Sequence, residues 1–250
     1  MTGVLVVLTG SATNVMSYMH NFKKEYVGVG ELHAAVSESR LKRAVRELVG
    51  RVYQRPPVRS AVSRKLRTRE VYYFDILEMR DRRFLFRAGT ESGTYARKLI
   101  NDVGLLLGTG AHMAELRRTI DGPFSEESAH SMWDVAASLE LYGRSGDDSL
   151  LRRVFLPVEM AISAYASVYV KDSAVASICH GANLAVGGIS SFEDPIAVGE
   201  DVALKTLKGE LIAMGKATKD SSAMARDKAG IAVKTVRVVM DRGLYPKMWR

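Results

Sequence analysis

The sequence predicts an α+β protein, in which a mixed, largely antiparallel sheet with helices is followed by a small β-barrel. Alternating apolar and polar residues, typical of half-buried strands, recur between stretches of helical period up to residue 166. From Ser167 onward, short apolar segments alternate with turns, which is typical of a small barrel. We therefore expect one domain over residues 1–166 and a second over residues 167–250.

The composition favours a nucleic-acid partner. The 250 residues carry 36 Lys and Arg against 28 Asp and Glu, a formal net charge of +8, and such a balance favours polyanions. The single cysteine, Cys179, excludes an internal disulfide framework and a cysteine-rich metal site, and we expect a small buried hydrophobe there. Without an apolar run of membrane-spanning length or a visible signal peptide, the chain is predicted to be intracellular, with no membrane partner.

The elements before residue 80 are predicted in order. Residues 1–8 form an apolar run that predicts a buried strand or helix, residues 10–20 a short helix, and residues 22–29 a strand. Residues 37–49 place Leu41, Val45 and Leu48 on one face of an amphipathic helix. Residues 70–78 predict a strand, and Arg80-Asp81 a turn into the next strand.

A strand, a glycine turn and a helix then follow one another. Residues 83–88 alternate as a half-buried strand does, Gly93 permits a turn, and Thr94 is a good N-cap. A helix is predicted from Tyr95 to Leu107, and a further strand over residues 111–119. The apolar side of this helix is predicted to carry Leu99, Val103 and Leu106.

Arg97 falls in the first turn of that helix. A cation there opposes the helix dipole, so stability alone would not place it, and we expect an anionic partner. Strand, turn, helix and returning strand together indicate a cleft that holds a negative group.

Two blocks of this region, residues 93–97 (Gly-Thr-Tyr-Ala-Arg) and 111–119 (Ala-His-Met-Ala-Glu-Leu-Arg-Arg-Thr), resemble the TruB/dyskerin family of pseudouridine synthases. The blocks 24–27 (Lys-Glu-Tyr-Val) and 54–57 (Gln-Arg-Pro-Pro) match it in the same order. The resemblance is closest to the archaeal and eukaryotic branch, the catalytic protein of box H/ACA RNA-guided particles. It implies isomerisation of uridine to pseudouridine, with no metal and no organic cofactor.

The resemblance also implies roles for single residues. Tyr26 would stack on the target uracil and help to remove the proton from C5, and Arg97 would pair with a nucleophilic aspartate. Leu116 and Ala96 would line the uracil pocket, which is looser because the family usually has isoleucine at the position of Ala96. A core aromatic is the alternative for Tyr26.

The family's nucleophilic aspartate belongs to a glycine-threonine-leucine-aspartate-proline motif just before the block that Thr2-Gly3-Val4-Leu5 resembles. By this alignment the aspartate falls just upstream of Met1, and we interpret the chain as an N-terminally truncated member. Such a chain is expected to bind RNA but to convert no uridine by itself.

Two segments are expected to contact RNA. A mobile arm, residues 55–69, has no acidic residue, and with Lys24 it would meet RNA backbone, although a solvated loop is the alternative. The last third of the chain resembles a PUA domain, whose RNA-reading edge would include the His-Gly-Ala segment, although a glycine there often serves only a turn. The candidate RNA-binding residues are Lys24, Arg55, Arg59, Arg64, Lys65, Arg67, His180, Gly181 and Ala182.

The resemblance implies a set of partners: a box H/ACA guide RNA, a substrate rRNA or tRNA, and three small particle proteins. These are a zinc-ribbon-like protein, a small β-barrel protein and a kink-turn-binding ribosomal-type protein. The expected location is the cytoplasm, or the nucleolus in a eukaryote. Two other functions stay open: a stand-alone tRNA pseudouridine synthase, and a non-catalytic RNA-binding or assembly protein.

Overall fold

The computed structural model describes residues 1–56, 63 and 65–246. The chain forms two compact units, each discontinuous in sequence: residues 1–6 with 20–131, and residues 7–19 with 132–250. The predicted domain boundary after residue 166 lies inside the second unit, at the first strand of its sheet.

The strands of the described residues are β1 (Thr2–Gly3), β2 (Lys24–Leu32), β3 (Gly50–Gln54), β4 (Arg67–Arg80), β5 (Arg83–Thr90), β6 (Ala111–Asp121), β7 (Phe124–Ser125), β8 (Ser167–Val170), β9 (Leu184–Ala185), β10 (Ile189–Phe192), β11 (Asp201–Lys205), β12 (Leu211–Ala217) and β13 (Ile231–Val238).

The α-helices are α1 (Met16–Met19), α2 (Glu38–Arg46), α3 (Ala96–Leu107), α4 (Met132–Ser145), α5 (Ser149–Val154), α6 (Asp172–Cys179) and α7 (Ser221–Arg226). Short 3₁₀ turns occupy Gly10–Val15, Glu126–Ser128, Val158–Ile162 and Val186–Gly188. Among the residues that the structure describes, no helix has the length and apolarity to cross a membrane.

The sheet of the first unit has the strand order β1-β6-β2-β5-β4-β3, and β7 pairs with β6. The pairing of β1 with β6 is parallel and the other pairings are antiparallel, so the predicted mixed, largely antiparallel sheet is confirmed. Helices α2 and α3 contribute to its core through Leu41, Val45, Leu99, Ile100 and Val103. The buried aromatic rings of Phe84 and Phe86 fill the same core.

The predicted helix over residues 95–107 is α3, but its buried face and its cap differ from the prediction. Leu99 and Val103 are buried as expected, whereas Leu106 is 54% exposed and Ile100 and Leu107 take its place. Tyr95, rather than Thr94, is the N-cap residue, and the Thr94 hydroxyl donates to the Glu91 carbonyl instead.

Gly104 allows α3 to approach β6 closely. A Cβ at this position would lie 2.2 Å from the backbone nitrogen of Ala111, and backbone has little freedom to move away. This close approach explains why the buried face includes a residue without a side chain.

Replacing Gly104 with alanine is therefore expected to destabilise the protein by about 1–3 kcal/mol, because the added methyl group overpacks a helix–strand contact. Urea denaturation measures the change in unfolding free energy. Gly143→Ala in α4 is the matched control, since no atom lies within 4 Å of its added Cβ, and alanine there should stabilise by about 0.5–1 kcal/mol. Equal effects of the two variants would contradict the close-approach explanation.

The apolar run at residues 1–8 is mostly not buried, contrary to the prediction. Only Thr2–Gly3 forms a strand, Val4 is buried, and Leu5 and Val7 are exposed. Gly3 has φ +93°, and a Cβ there would lie 2.1 Å from the Arg118 carbonyl oxygen. The parallel pairing with β6 therefore requires glycine at this position.

The sheet of the second unit has the order β10-β8-β11-β12-β13-β9 and is nearly closed, as the barrel prediction required. Its core includes Val170, Leu204, Ile212 and Cys179, and the cysteine is buried as expected. Helix α6 was not predicted.

Candidate RNA-modifying site

The candidate site is organised by β2, which lies between β5 and β6 in the first unit. Alternate residues of a strand share one face, so the pairing register defines rows of neighbouring side chains. On the face of Tyr26, the rows across β5, β2 and β6 are Thr90, Lys24 and Asp121; Ala88, Tyr26 and Arg118; and Phe86, Gly28 and Leu116.

Tyr26, Ala96 and Leu116 are all buried members of one apolar cluster. Gly28 makes room for the Phe86 ring, because a Cβ at position 28 would lie 2.6 Å from that ring. Tyr26 and Leu116 lie in neighbouring rows of one face of the sheet, and Ala96 belongs to the same core; their roles as the stacking face and walls of a pocket stay predictions.

Arg97 follows the buried Ala96 and is exposed. It makes no hydrogen bond or ion pair with any residue that the structure describes. Arg97 lies in the first turn of α3, and its expected anionic partner is not among the residues that the structure describes.

Gln54 caps α3 from a distant part of the chain and was missed by sequence reasoning. It is 2% exposed; its Oε1 accepts from the Tyr95 backbone nitrogen at 2.8 Å, and its Nε2 donates to the Tyr95 carbonyl at 3.3 Å. The position of Gln54 in the block before Pro56-Pro57 was the available signal. This amide fixes the start of the helix that carries Arg97.

Lys24, predicted to meet phosphate, is instead paired within the protein. It forms a salt bridge with Asp121, and the side chains of Lys24 and Asp121 are only 16% and 10% exposed. Arg118 pairs with the other carboxylate oxygen of Asp121 at 3.4 Å. The contact of Lys24 with phosphate stays a prediction, and in the structure the Lys24 ammonium is paired with Asp121.

Burial raises the pKa of Tyr26 above its usual value of 10, the largest effect on this group. The nearby Arg118 guanidinium acts in the opposite direction and lowers this pKa. The nearby Asp121 carboxylate raises it. The pKa of Tyr26 therefore depends on the charges of Arg118 and Asp121, both on β6.

The predicted basic arm lies partly outside the described residues, and Arg59 and Arg64 fall there. Arg55 and Lys65 are exposed, and Arg67 donates to the Ser63 carbonyl at 3.4 Å where β4 begins. Contact of this arm with RNA stays a prediction.

In the second unit, a cavity of about 530 Å³ lies beside the end of α6. His180 and Gly181 line it, while Ala182 is exposed next to them and its carbonyl accepts from the Thr235 hydroxyl at 2.7 Å. Gly181 has φ +89°, a backbone conformation that favours glycine. The remaining lining residues are Ser11, Asn14, Cys179, Val238, Val239, Met240, Asp241 and Arg242.

Two protein-family models match this chain. Residues 97–163 match the tRNA pseudouridylate synthase B C-terminal domain, and residues 166–239 match the PUA domain. The fold and the matched domains thus define a pseudouridine synthase with a PUA domain.

Relatives and solved structures agree with these matches. A protein named "Probable tRNA pseudouridine synthase B" from Archaeoglobus fulgidus is 43% identical over 249 residues, which are 100% of this chain and 77% of the relative. A Cbf5 chain from a crystal structure of a Cbf5–Nop10–Gar1 complex matches with a TM-score of 0.90 and 45% identity, over 98% of this chain and 75% of that chain. A structure of an H/ACA RNP bound to a substrate RNA containing 2′-deoxyuridine matches with a TM-score of 0.87 and 42% identity, over 96% and 73%. The chain belongs to the TruB/Cbf5 family of pseudouridine synthases.

Proposed function

We propose that this protein is the catalytic subunit of a box H/ACA-type particle that isomerises uridine in rRNA or tRNA under the direction of a guide RNA. The observation that carries this proposal is that Tyr26, Ala96 and Leu116 share one buried core, while Arg97, next to Ala96, has no ion-pair partner among the described residues. Apolar side chains and an aromatic ring near a cation would suit a flipped pyrimidine that reacts with a carboxylate. The 98% coverage by a Cbf5 structure supports the guide-dependent branch of the family.

The residues have distinct roles in the proposed reaction. The target uridine leaves its stack at a cost of about a few kcal/mol, which the pocket offsets by stacking on Tyr26 and by apolar contact with Ala96 and Leu116. The bond between N1 and the ribose breaks, the base turns, and C5 joins the ribose. Tyr26 would help to remove the proton from C5, and Arg97 would keep the nucleophilic carboxylate ionised and oriented.

We further propose that the nucleophilic aspartate is not one of these 250 residues. No described aspartate pairs with Arg97, and Asp121, which neighbours Tyr26, has both oxygens engaged by Lys24 and Arg118. The family motif before the Thr2-Gly3 block is the expected source. These residues alone would bind RNA and leave uridine unchanged.

The partners follow from the same family. The matched structures include Nop10, Gar1 and a substrate RNA, and we propose related small proteins here: zinc-ribbon-like, small β-barrel and kink-turn-binding. We assign residues 1–166 to catalysis and 167–250 to guide-RNA binding, with the cavity at His180 and Gly181 as the RNA-reading edge. We propose that the particle acts in the cytoplasm, or in the nucleolus if the organism is a eukaryote.

A conversion assay tests this proposal. The chain, extended by the family's aspartate motif before Thr2, is mixed with guide RNA, the small proteins and a matched substrate, and pseudouridine is measured by mass spectrometry. Conversion should require the guide, the proteins and the aspartate. Conversion of a tRNA by the extended chain alone would favour the stand-alone enzyme, and RNA binding without conversion in every mixture would favour an assembly protein.

A further inference from the structure

Two histidine side chains meet at one end of the first unit's sheet, on the face opposite Tyr26. His112 lies near the start of β6, where it pairs with Glu31 of β2. His33 directly follows β2 and extends the pairing by one residue, because its backbone nitrogen donates to the Gly110 carbonyl at 3.1 Å. His33 and His112 are therefore diagonal neighbours across two antiparallel strands, close enough for long side chains to touch.

The two imidazole rings each present one nitrogen to the other ring. Nε2 of His33 lies 3.1 Å from Nδ1 of His112, the ring centroids are 5.3 Å apart, and the ring planes are inclined by 36°. With metal–nitrogen bonds of about 2.0–2.1 Å, two ligating nitrogens lie about 3.3 Å apart in a tetrahedral site and about 2.9 Å apart at a right angle. The observed separation falls between these values, so small rotations of the rings allow one ion to contact both nitrogens.

The surroundings leave space for the pair and for solvent. Gly110 has φ +73°, and a Cβ there would lie 2.7 Å from Nδ1 of His33, so the ring occupies space that a side chain would otherwise fill. Both histidines are exposed, which gives an ion access from water. The Glu31 carboxylate pairs with Arg83 at 2.9 Å and with Arg82 at 3.7 Å, and it offsets part of the guanidinium charge that would repel a cation.

We propose that His33 and His112 form a binding site for one divalent transition-metal ion, with Zn²⁺ as the expected occupant. Imidazole nitrogen suits Zn²⁺, Cu²⁺ and Ni²⁺, whereas Mg²⁺ and Ca²⁺ prefer oxygen ligands. Among the described residues, no group of three or more histidine, cysteine or acidic side chains could hold a metal ion, so water completes the coordination at this pair. The bound ion joins the end of β2 to the start of β6, and the site is independent of the proposed isomerisation.

Isothermal titration calorimetry of the untagged protein with Zn²⁺ tests this site, and we expect one ion per chain. His33→Ala and His112→Ala should each lower the affinity at least about tenfold, because the second imidazole acts at a high effective concentration. The double variant should lose hardly more than either single variant, since both residues hold the same ion. His130→Ala is the matched control, because His130 is exposed and lies outside the pair, and it should keep the parent affinity.

A conservative variant separates metal binding from the hydrogen bond between the two rings. His112→Gln keeps an amide that can bond to His33, but an amide is a poor ligand for Zn²⁺. We expect this variant to have nearly the parent Tm without metal and to lose the rise in Tm that Zn²⁺ gives the parent. A parent protein that binds no Zn²⁺ has only a hydrogen-bonded histidine pair, and that result would overturn the proposal. Zn²⁺ binding that persists in the double variant, or that excess Mg²⁺ displaces, would overturn it as well.

Discussion

Replacing Arg97 with alanine is expected to lower the rate of pseudouridine formation at least about a hundredfold, while guide-RNA affinity stays within a few-fold. The exposed guanidinium at the start of α3 has no partner among the described residues, so its removal costs the fold little. The substitution also removes the positive charge that we propose pairs with the nucleophilic carboxylate during the reaction. The measurement is single-turnover conversion by the extended chain in its particle, beside a filter-binding titration with guide RNA.

The matched control for Arg97 lies one position further along the same helix. Lys98 forms an i,i+4 salt bridge with Asp102, so Lys98→Ala removes one positive charge from the same turn without touching the proposed pair. We expect normal conversion by this variant. Arg97→Lys should remain strongly impaired, because an ammonium lacks the two-pronged geometry of guanidinium. Parallel losses of binding and conversion in Arg97→Ala would show a structural role instead.

Reversing the charge of Arg242 at the cavity of the second unit is expected to weaken guide-RNA binding at least about tenfold and to reduce the salt dependence of the affinity. Arg242 lines this cavity together with His180 and Gly181, where we propose that the guide is bound. An added glutamate there would repel phosphate. Affinity measured at several salt concentrations gives both quantities.

Arg226→Glu makes the same charge change outside the cavity. Arg226 is exposed at the end of α7, and its Nε lies 3.4 Å from Oδ1 of Asp227. It is not among the residues that line the cavity. We expect its effect on affinity to be less than about threefold. If both charge reversals weaken binding equally, the cavity is not the guide-binding surface and only net charge matters.

The sequence predicted the four long strands β2, β4, β5 and β6 well, because their alternation is a local property, but it predicted neither β3 nor β7. The face of α3 was harder to predict. Its buried side includes Ala96 and Gly104, which have little or no apolar side chain, so a search for large apolar residues shifted the face toward Leu106. Close approach to Ala111 decides which side is buried, and that approach is a tertiary contact.

Motifs in the sequence name the members of the candidate site, whose roles stay predictions, but they do not predict the contacts between distant residues. Tyr26, Ala96 and Leu116 were found by motif, and the structure places them in one cluster. The contacts of Gln54 with Tyr95 and of Arg118 with Val4 span 41 and 114 residues, and no local pattern encodes them. Pairing register determines that Lys24 meets Asp121 rather than solvent.

The interleaved boundaries of the two units limit how this protein is cut and recombined. Residues 7–19 belong with residues 132–250; the Asn14 amide donates to the Val238 carbonyl at 2.8 Å, and Ser11 and Asn14 form part of the cavity wall. A fragment that carries only residues 166–239 would keep the sheet and lose that wall. Grafting the second unit onto another scaffold would therefore require two pieces of chain, residues 7–19 and residues 132–250.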